Sequence, residues 1–313
     1  MLRFCIRFCL FVGILVIPLY ILQGRFDRAI YTGSDQKPIW VQNVKNESYS
    51  YAIGGSSRAE NNADVNTIDS LLKIKGINMG YSGSDLAENY LTLLTFLRNG
   101  NRLSNYVLQI DDWSLIKPDS AFSYPFHEYF FLTLLNDKEV GDVIRHEDGP
   151  GKYYLWKWIP FAKYAEFNYI YPIQKIFVHP HTIYNHTHGT VLLDDQMLDT
   201  VALEKRLGPI RHYPNSNSYS YLQKMKELCK ENGIRLIMYT APIYYKYHQC
   251  IENKACRSLI SSFAKANQLN YFDYTSSAIC RNGDLMMNEA HLNRKGTLLF
   301  SKLLADSLSN HLK

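Results

Sequence analysis

Short apolar runs closed by glycine, asparagine or aspartate alternate along this chain with stretches whose apolar side chains recur every three or four residues. The first run, Tyr49 to Ile53, stops at Gly54 and Gly55 and predicts a strand. Residues 58 to 74 predict a helix, to which Ile68, Leu71, Leu72 and Ile74 contribute the apolar side. Gly76 to Gly80 is a second strand. Ser84 is the expected N-cap of a helix running to about Asn99, with Leu86, Tyr90, Leu93, Leu94 and Leu97 at helical spacing. Tyr106 to Ile110 is a third strand, ending in Asp111 and Asp112. A helix that ends near Asn232 and Gly233 precedes Ile234 to Tyr239, a nearly continuous apolar run of the kind a strand buried on both faces requires. A helix at about 257 to 267 precedes a fifth strand, Leu269 to Tyr274, and a last helix runs from about Arg294 to Leu312. Strands alternating with helices predict an α/β fold in three layers, α/β/α, around a parallel sheet of about five strands. Such sheets bind ligands beyond the carboxyl ends of their strands, where the strand order reverses.

Two regions depart from the alternation. Residues 114 to about 215 carry Pro118, Pro125, Pro150, Pro160, Pro172, Pro180, Pro209 and Pro214 and many of the tyrosines, and predict an irregular, partly helical insertion between the third and fourth strands. Its position predicts a lid or acceptor surface over the carboxyl edge of the sheet. At the other extreme, Phe8 to Leu22 carries no charge and follows Arg3 and Arg7, the order of a basic region and an apolar core in an export signal. No small-residue cleavage pattern follows, since the chain continues Gln23, Gly24, Arg25, Phe26. Residues 1 to 24 are therefore expected to be a membrane anchor, or a signal segment, with the body on the exoplasmic side. The polar, turn-rich residues 25 to 48 are expected to be a linker, and 49 to 313 the globular domain.

Composition adds little to this picture. A hydrophobic share of 46% with 20% charged residues is globular, and a net charge of +5 without a run of Lys or Arg argues against a nucleic-acid partner. Cys5 and Cys9 fall in the anchor; Cys229, Cys250, Cys256 and Cys280 permit disulfides in an oxidising compartment, Cys250 with Cys256 closing a short loop, and none has the spacing of a zinc site. His179, His181, His186 and His188 cluster without an acid or cysteine among them, the nearest acids being Asp194 and Asp195, which favours groove or surface histidines over a metal site. Asn46 and Asn185 head N-x-S/T triplets, a feature that matters only in a glycosylating host.

The chemistry lies in two short segments. IGGSSRAENN, residues 53 to 62, sets Ser57 on a glycine-rich corner between strand and helix, where a hydroxyl is exposed and backbone N–H groups face an incoming oxyanion. NEAHLNRKG, residues 288 to 296, sets His291 just before the terminal helix. A serine near the start and a histidine near the end of an α/β chain can meet at one edge of the sheet, and acyl transfer needs that pair: the imidazole takes the hydroxyl proton and returns it to the leaving group. Arg58, beside the serine, is a candidate for binding an anionic or glycan substrate.

The strand followed by GSSR, NMGYSG at 78 to 83, and the terminal HLNRKG resemble the SGNH (GDSL-like) hydrolase superfamily, especially exported members that esterify or de-esterify cell-surface glycans. The resemblance covers 49 to 113 and 220 to 313 and implies a flavodoxin-like sheet. Gly55, Ser56 and Ser57 stand where the family has Gly, Asp and Ser, so Ser57 matches the nucleophile and its N–H the first oxyanion donor; Gly83 matches the second-block glycine and His291 the base. The third block, normally Gly-x-Asn-Asp, reads Gln109, Ile110, Asp111, Asp112, which puts Asp111 at the oxyanion position in place of an asparagine donor and makes Asp112 a candidate substrate contact. An ionised carboxylate only accepts hydrogen bonds, so Asp111 must be neutral to serve. The family's aspartate three residues before the histidine is Asn288, unless Asp284 or another acid substitutes. What the resemblance implies is a serine-dependent esterase or O-acyltransferase acting on a surface polysaccharide or related glycan through an acyl-Ser57 intermediate, without cofactor or metal. A membrane-bound acyl donor is an expected partner. The alternative is a catalytically inactive glycan-binding or scaffold protein of a surface-glycan modification system.

Overall fold

The computed structural model describes residues 1–33, 36–116, 126–165, 183–211, 213–252 and 254–312. The prolines at 118, 125, 172 and 180 and the histidines at 179 and 181 lie outside them. The chain divides into two compact units, Met1–Asn43 with His127–His181, and Val44–Phe126 with Thr182–Lys313.

The second unit holds the sheet. Its strands β1 (Ser48–Gly54), β2 (Gly76–Asn78), β3 (Arg102–Gln109), β4 (Arg235–Thr240) and β5 (Asn270–Asp273) are all parallel, in the order β2-β1-β3-β4-β5. This is the five-strand sheet that the alternation predicts. β1 leaves the surface as it advances, exposing Ser48 and burying Tyr51, Ala52 and Ile53 completely. Tyrosines fill the spaces that glycines leave on neighbouring strands: a β-carbon at Gly54 would lie 1.8 Å from the Tyr106 hydroxyl, and one at Gly76 would lie 2.3 Å from the Tyr51 ring. The helices α3 (Ser57–Asn62) and α4 (Val65–Leu72) follow β1, and α5 (Leu86–Arg98) follows β2. Beyond the first unit's α6 (Lys138–Glu147) and α7 (Pro150–Trp158), the sheet unit continues with α8 (Ser216–Glu231), α9 (Ala255–Ala266) and α10 (Arg294–Leu308). α5 packs on α8, and α3 and α4 pack on α10, so both faces of the sheet are covered.

Local chemistry moves several expected boundaries. The single helix expected over 58 to 74 is two, because Asp64 accepts from the Asn66 and Thr67 N–H groups and starts α4 afresh. α5 is capped by Asp85 and not Ser84: Asp85 and Glu88 form a reciprocal capping box, and Ser84 Oγ donates instead to Gly55 O at 2.8 Å. β2 ends at Asn78, whose side-chain amide donates to Ala59 O and Ala63 O and leaves the strand direction. The insertion is not continuous either. From Thr182 onward the chain belongs to the sheet unit, where His188 O accepts from Asn78 N and Val191 N donates to Glu60 O. All the described cysteines other than Cys9 are free thiols, so Cys250 and Cys256 do not pair; Cys250 Sγ donates to Lys246 O at 3.3 Å.

In the first unit the expected linker at 25 to 48 is helical almost throughout, α1 running Leu2–Gly33 and α2 Lys37–Asn43, before β1 begins at Ser48. The reason is periodicity: Phe26 and Ile30 prolong the apolar stripe of α1 beyond residue 24, and Phe26 meets the rings of Phe161 and Tyr164 edge-on at 5.8 and 4.9 Å. Ile39 and Val41 anchor α2 at 1% and 0% exposure. α1 is long and apolar enough over Leu2–Thr32 to cross a membrane, and its side chains from Leu10 to Leu22 are largely exposed.

Candidate active site

β1 and β3 are neighbours although β2 comes between them in the chain, so the strand order reverses at their carboxyl ends. Gly55 turns the chain there at φ +137°, where a β-carbon would lie 2.7 Å from that of Gln109 and 2.9 Å from that of Ala59. Only glycine fits the corner. Ser56 caps α3, and its N–H and hydroxyl both bond to Gln109 Oε1, at 3.2 and 3.1 Å. Ser57, the first residue of α3, keeps its hydroxyl free for another partner.

That partner is His291, whose Nε2 lies 2.8 Å from Ser57 Oγ. Asn288 Oδ1 accepts from the N–H groups of Ala290 and His291 at 2.9 Å each and lies 3.0 Å from His291 Nδ1. Two backbone donors identify that atom as the amide oxygen, so Nδ1 carries the imidazole hydrogen and Nε2 is the acceptor facing the serine. The loop is pinned to α3: Leu292 N donates to Asn62 Oδ1 at 3.0 Å, and Thr297 Oγ1 to Asn61 O at 2.8 Å. Asn293 caps α10 and donates to Asp284 O at 2.7 Å. Asp284 itself is exposed, and Asn288 holds the ring nitrogen that an acid there would need. Burial, reinforced by the Arg58 charge, lowers the His291 pKa to about 4. The ring is therefore neutral at neutral pH, as a base must be, though weak.

The loop after β2 closes the site from another side. Tyr81 N donates to Gly55 O at 3.2 Å, and Ser82 binds Glu60 Oε2 through its N–H at 3.0 Å and its hydroxyl at 2.8 Å. Gly83 adopts φ +77° in this turn. Neither the Ser57 nor the Gly83 N–H is engaged by another group among the described residues.

Asp111 and Arg58 correct the expectation for both residues. Asp111 is fully buried, and its Oδ2 accepts from Arg58 Nη1 at 2.8 Å and Gln109 Nε2 at 2.9 Å. Its Oδ1 accepts from Ser114 N and Oγ, each at 3.2 Å. A carboxylate surrounded by donors is an ion-pair partner and not an oxyanion donor. Arg58, 1% exposed, is no surface contact for substrate: it also donates to Ala241 O at 2.5 Å and Pro242 O at 3.1 Å, and its guanidinium lies 5.3 Å from the Trp113 ring centre. Asp112 is 3% exposed, and its Oδ2 accepts from Arg257 Nη2 at 3.0 Å. Burial raises its pKa against the opposing pull of Arg257. It lines a cavity of about 250 Å³ with His248, Gln249, Ile251, Lys254 and Arg257.

Sequence reasoning missed Gln109, which holds Ser56 with one end and Asp111 with the other, and Asn62, which ties the histidine loop to α3. The signal for Gln109 was its place at the end of the third strand; nothing in the sequence singled out Asn62. Of the histidine cluster, His188 lies 3.6 Å from Asp69 Oδ2. No three His, Cys, Asp or Glu side chains converge as a metal site among the described residues.

No family model matches the chain, and no curated protein does. Among solved structures, it is similar to a Bacteroides fragilis protein described as an acylhydrolase, at 11% identity over 86% of this chain and 88% of that one, with a TM-score of 0.41. It is similar also to a lipolytic protein of the G-D-S-L family from Desulfitobacterium hafniense, at 11% identity over 82% and 98% and a TM-score of 0.40. A GDSL-like lipase from Bacteroides thetaiotaomicron aligns at 10% identity over 85% and 88%, with a TM-score of 0.36. Likeness this loose does not define chemistry, which rests on the distances within the site.

Proposed function

We infer that the chain is a serine-dependent acyl-transfer enzyme of the SGNH type, an esterase or O-acyltransferase acting on a surface polysaccharide or related glycan. The observation that carries this reading is the relay Ser57 Oγ, His291 Nε2, His291 Nδ1, Asn288 Oδ1, with contacts of 2.8 and 3.0 Å. In the proposed cycle Ser57 Oγ attacks the ester carbonyl carbon as its proton passes to Nε2. The oxyanion is received by the Ser57 and Gly83 N–H groups. Collapse breaks the ester bond, the imidazolium returns its proton to the departing alkoxide, and acyl-Ser57 remains. Water or a sugar hydroxyl then attacks by the same steps in reverse order, giving hydrolysis or transfer. The uncharged run of α1 from Phe8 to Gly24, with Arg3 and Arg7 ahead of it, supports an anchored protein with an exoplasmic body, within reach of a membrane-bound acyl donor.

A second reading, an inactive glycan-binding or scaffold protein, is favoured by the Asp111 ion pair where an amide donor would stand and by the uncharged partner of His291. A serine-directed fluorophosphonate separates the two. The expected result is covalent labelling at Ser57, lost in Ser57→Ala and strongly slowed in His291→Ala. A folded protein that takes no label supports the scaffold.

A further inference from the structure

The helix α7 presents two apolar sides. Tyr153 and Trp156 face inward at 8% and 1% exposure, whereas Tyr154, Leu155, Trp158 and Ile159 stand out at 47%, 48%, 63% and 52%. Positions 154, 155 and 158 follow the three-and-four spacing of one helix face, and Ile159, the extended residue just past the end of α7, adds a further exposed apolar side chain next to Trp158 in the chain. Water is a poor partner for such a stripe, and its place relative to α1 names a better one. Tyr20 OH donates to Trp158 O at 2.5 Å, and Phe161 N donates to Gln23 Oε1 at 2.5 Å. Lys163 Nζ adds an ion pair with Asp27 Oδ2 at 2.8 Å.

These bonds fix the end of α7 beside residues 20 to 27 of α1, where the uncharged run from Phe8 to Gly24 gives way to Arg25, Asp27 and Arg28. At about 1.5 Å per residue that run is about 25 Å long, and Arg7 and Arg25 reaching outward at its ends bring it to the roughly 30 Å of a hydrocarbon core. Residues 20 to 25 then mark the level of the lipid headgroups, the depth at which tryptophan and tyrosine are enriched in membrane proteins. Arg25 and Arg28 are exposed and, with Lys157 of α7, have no carboxylate partner among the described residues. Cations at that depth suit anionic headgroups.

We propose that α7 is an interfacial helix that lies in the outer headgroup layer of the membrane spanned by α1, with Tyr154, Leu155, Trp158 and Ile159 sunk into the acyl boundary. The proposal rests on α1 being a membrane anchor and goes beyond it. The anchor thereby becomes a two-element device, in which α7 limits how far this unit tilts or rotates about the span.

Tryptophan fluorescence tests this directly, because Trp40, Trp113 and Trp156 are at most 9% exposed and Trp158 is 63% exposed. The full chain is reconstituted in phosphatidylcholine and phosphatidylglycerol vesicles and compared with Trp158→Phe. The expected result is a blue-shifted emission component, quenched by brominated lipid and shielded from aqueous acrylamide, that Trp158→Phe lacks. Equal bromolipid quenching of the two proteins, in a chain that stays with the vesicles through a carbonate wash, overturns the proposal and leaves the anchor standing. Shielding from acrylamide without quenching by bromine overturns it in favour of a second copy of the chain covering the face. A chain that washes off the vesicles removes anchor and interfacial helix together.

Discussion

At the residue scale, the proposed base, His291, is the weakest component of the proposed relay. His291 has its tautomer set by Asn288 but receives no charge from it, while burial and Arg58 both oppose the imidazolium that the proposed cycle forms. A carboxylate at 288 would favour that imidazolium. Asn288→Asp is therefore expected to raise the His291 pKa and increase kcat on an activated ester by about tenfold or more, the reverse change in a serine protease costing about 10⁴. The pH profile checks the cause. In the wild type kcat/KM should stay level down to about pH 4 and fall below it, as His291 takes up a proton; in Asn288→Asp the fall should begin at higher pH. Stability moves too. The folded pKa lies below the ordinary 6.5, so between pH 6.5 and about 4 the unfolded chain binds a proton that the folded one refuses, and the His291 contribution makes the fold progressively less stable as pH falls through that window. A profile identical in the two proteins would dissociate Asn288 from the base.

Among elements, the Arg58–Asp111 pair acts as a tie. It joins the start of α3 to the end of β3, and through Ala241 O and Pro242 O to the segment after β4. Asp111→Asn keeps the shape but strands a buried guanidinium, and is expected to lower unfolding free energy by about 3–5 kcal/mol in a denaturant titration. Had Asp111 been a neutral oxyanion donor, the same change would have been harmless or helpful. An undiminished midpoint would restore that role. The sequence showed the corner and the histidine because their chemistry is local: a glycine-rich strand end before Ser57, and the start of the terminal helix just after His291. The tie was hidden because its partners are far apart in the chain, and Arg58 in isolation, beside the serine, reads as a substrate contact. The break in the first helix was closer to legible, since Asp64 followed by Thr67 is itself a capping pattern.

For the whole molecule, the order of strands and helices was readable from apolar periodicity, whereas the division into units was not. Nothing in the residues before 44 announces that they join His127–His181, because contacts such as that of Phe26 with Tyr164 link segments far apart in the chain. The expected topology carries its own check: with α1 spanning the membrane and Arg3 and Arg7 on the inner side, protease added from the exoplasmic side should digest the sheet unit in intact cells. Protection there, with digestion only after lysis, would place the body on the other side. The pinning of the histidine loop to α3 has a further consequence, in the language of heat. Ser57 and His291 ride on one mechanical body, since Asn62 and Asn61 of α3 grip the residues on either side of the α10 cap and Asp64 N binds Ser301 Oγ at 2.8 Å within α10. Breathing of the sheet is therefore expected to leave the gap between Ser57 and His291 unchanged, and warming to separate this pair only when the helices that carry it come apart.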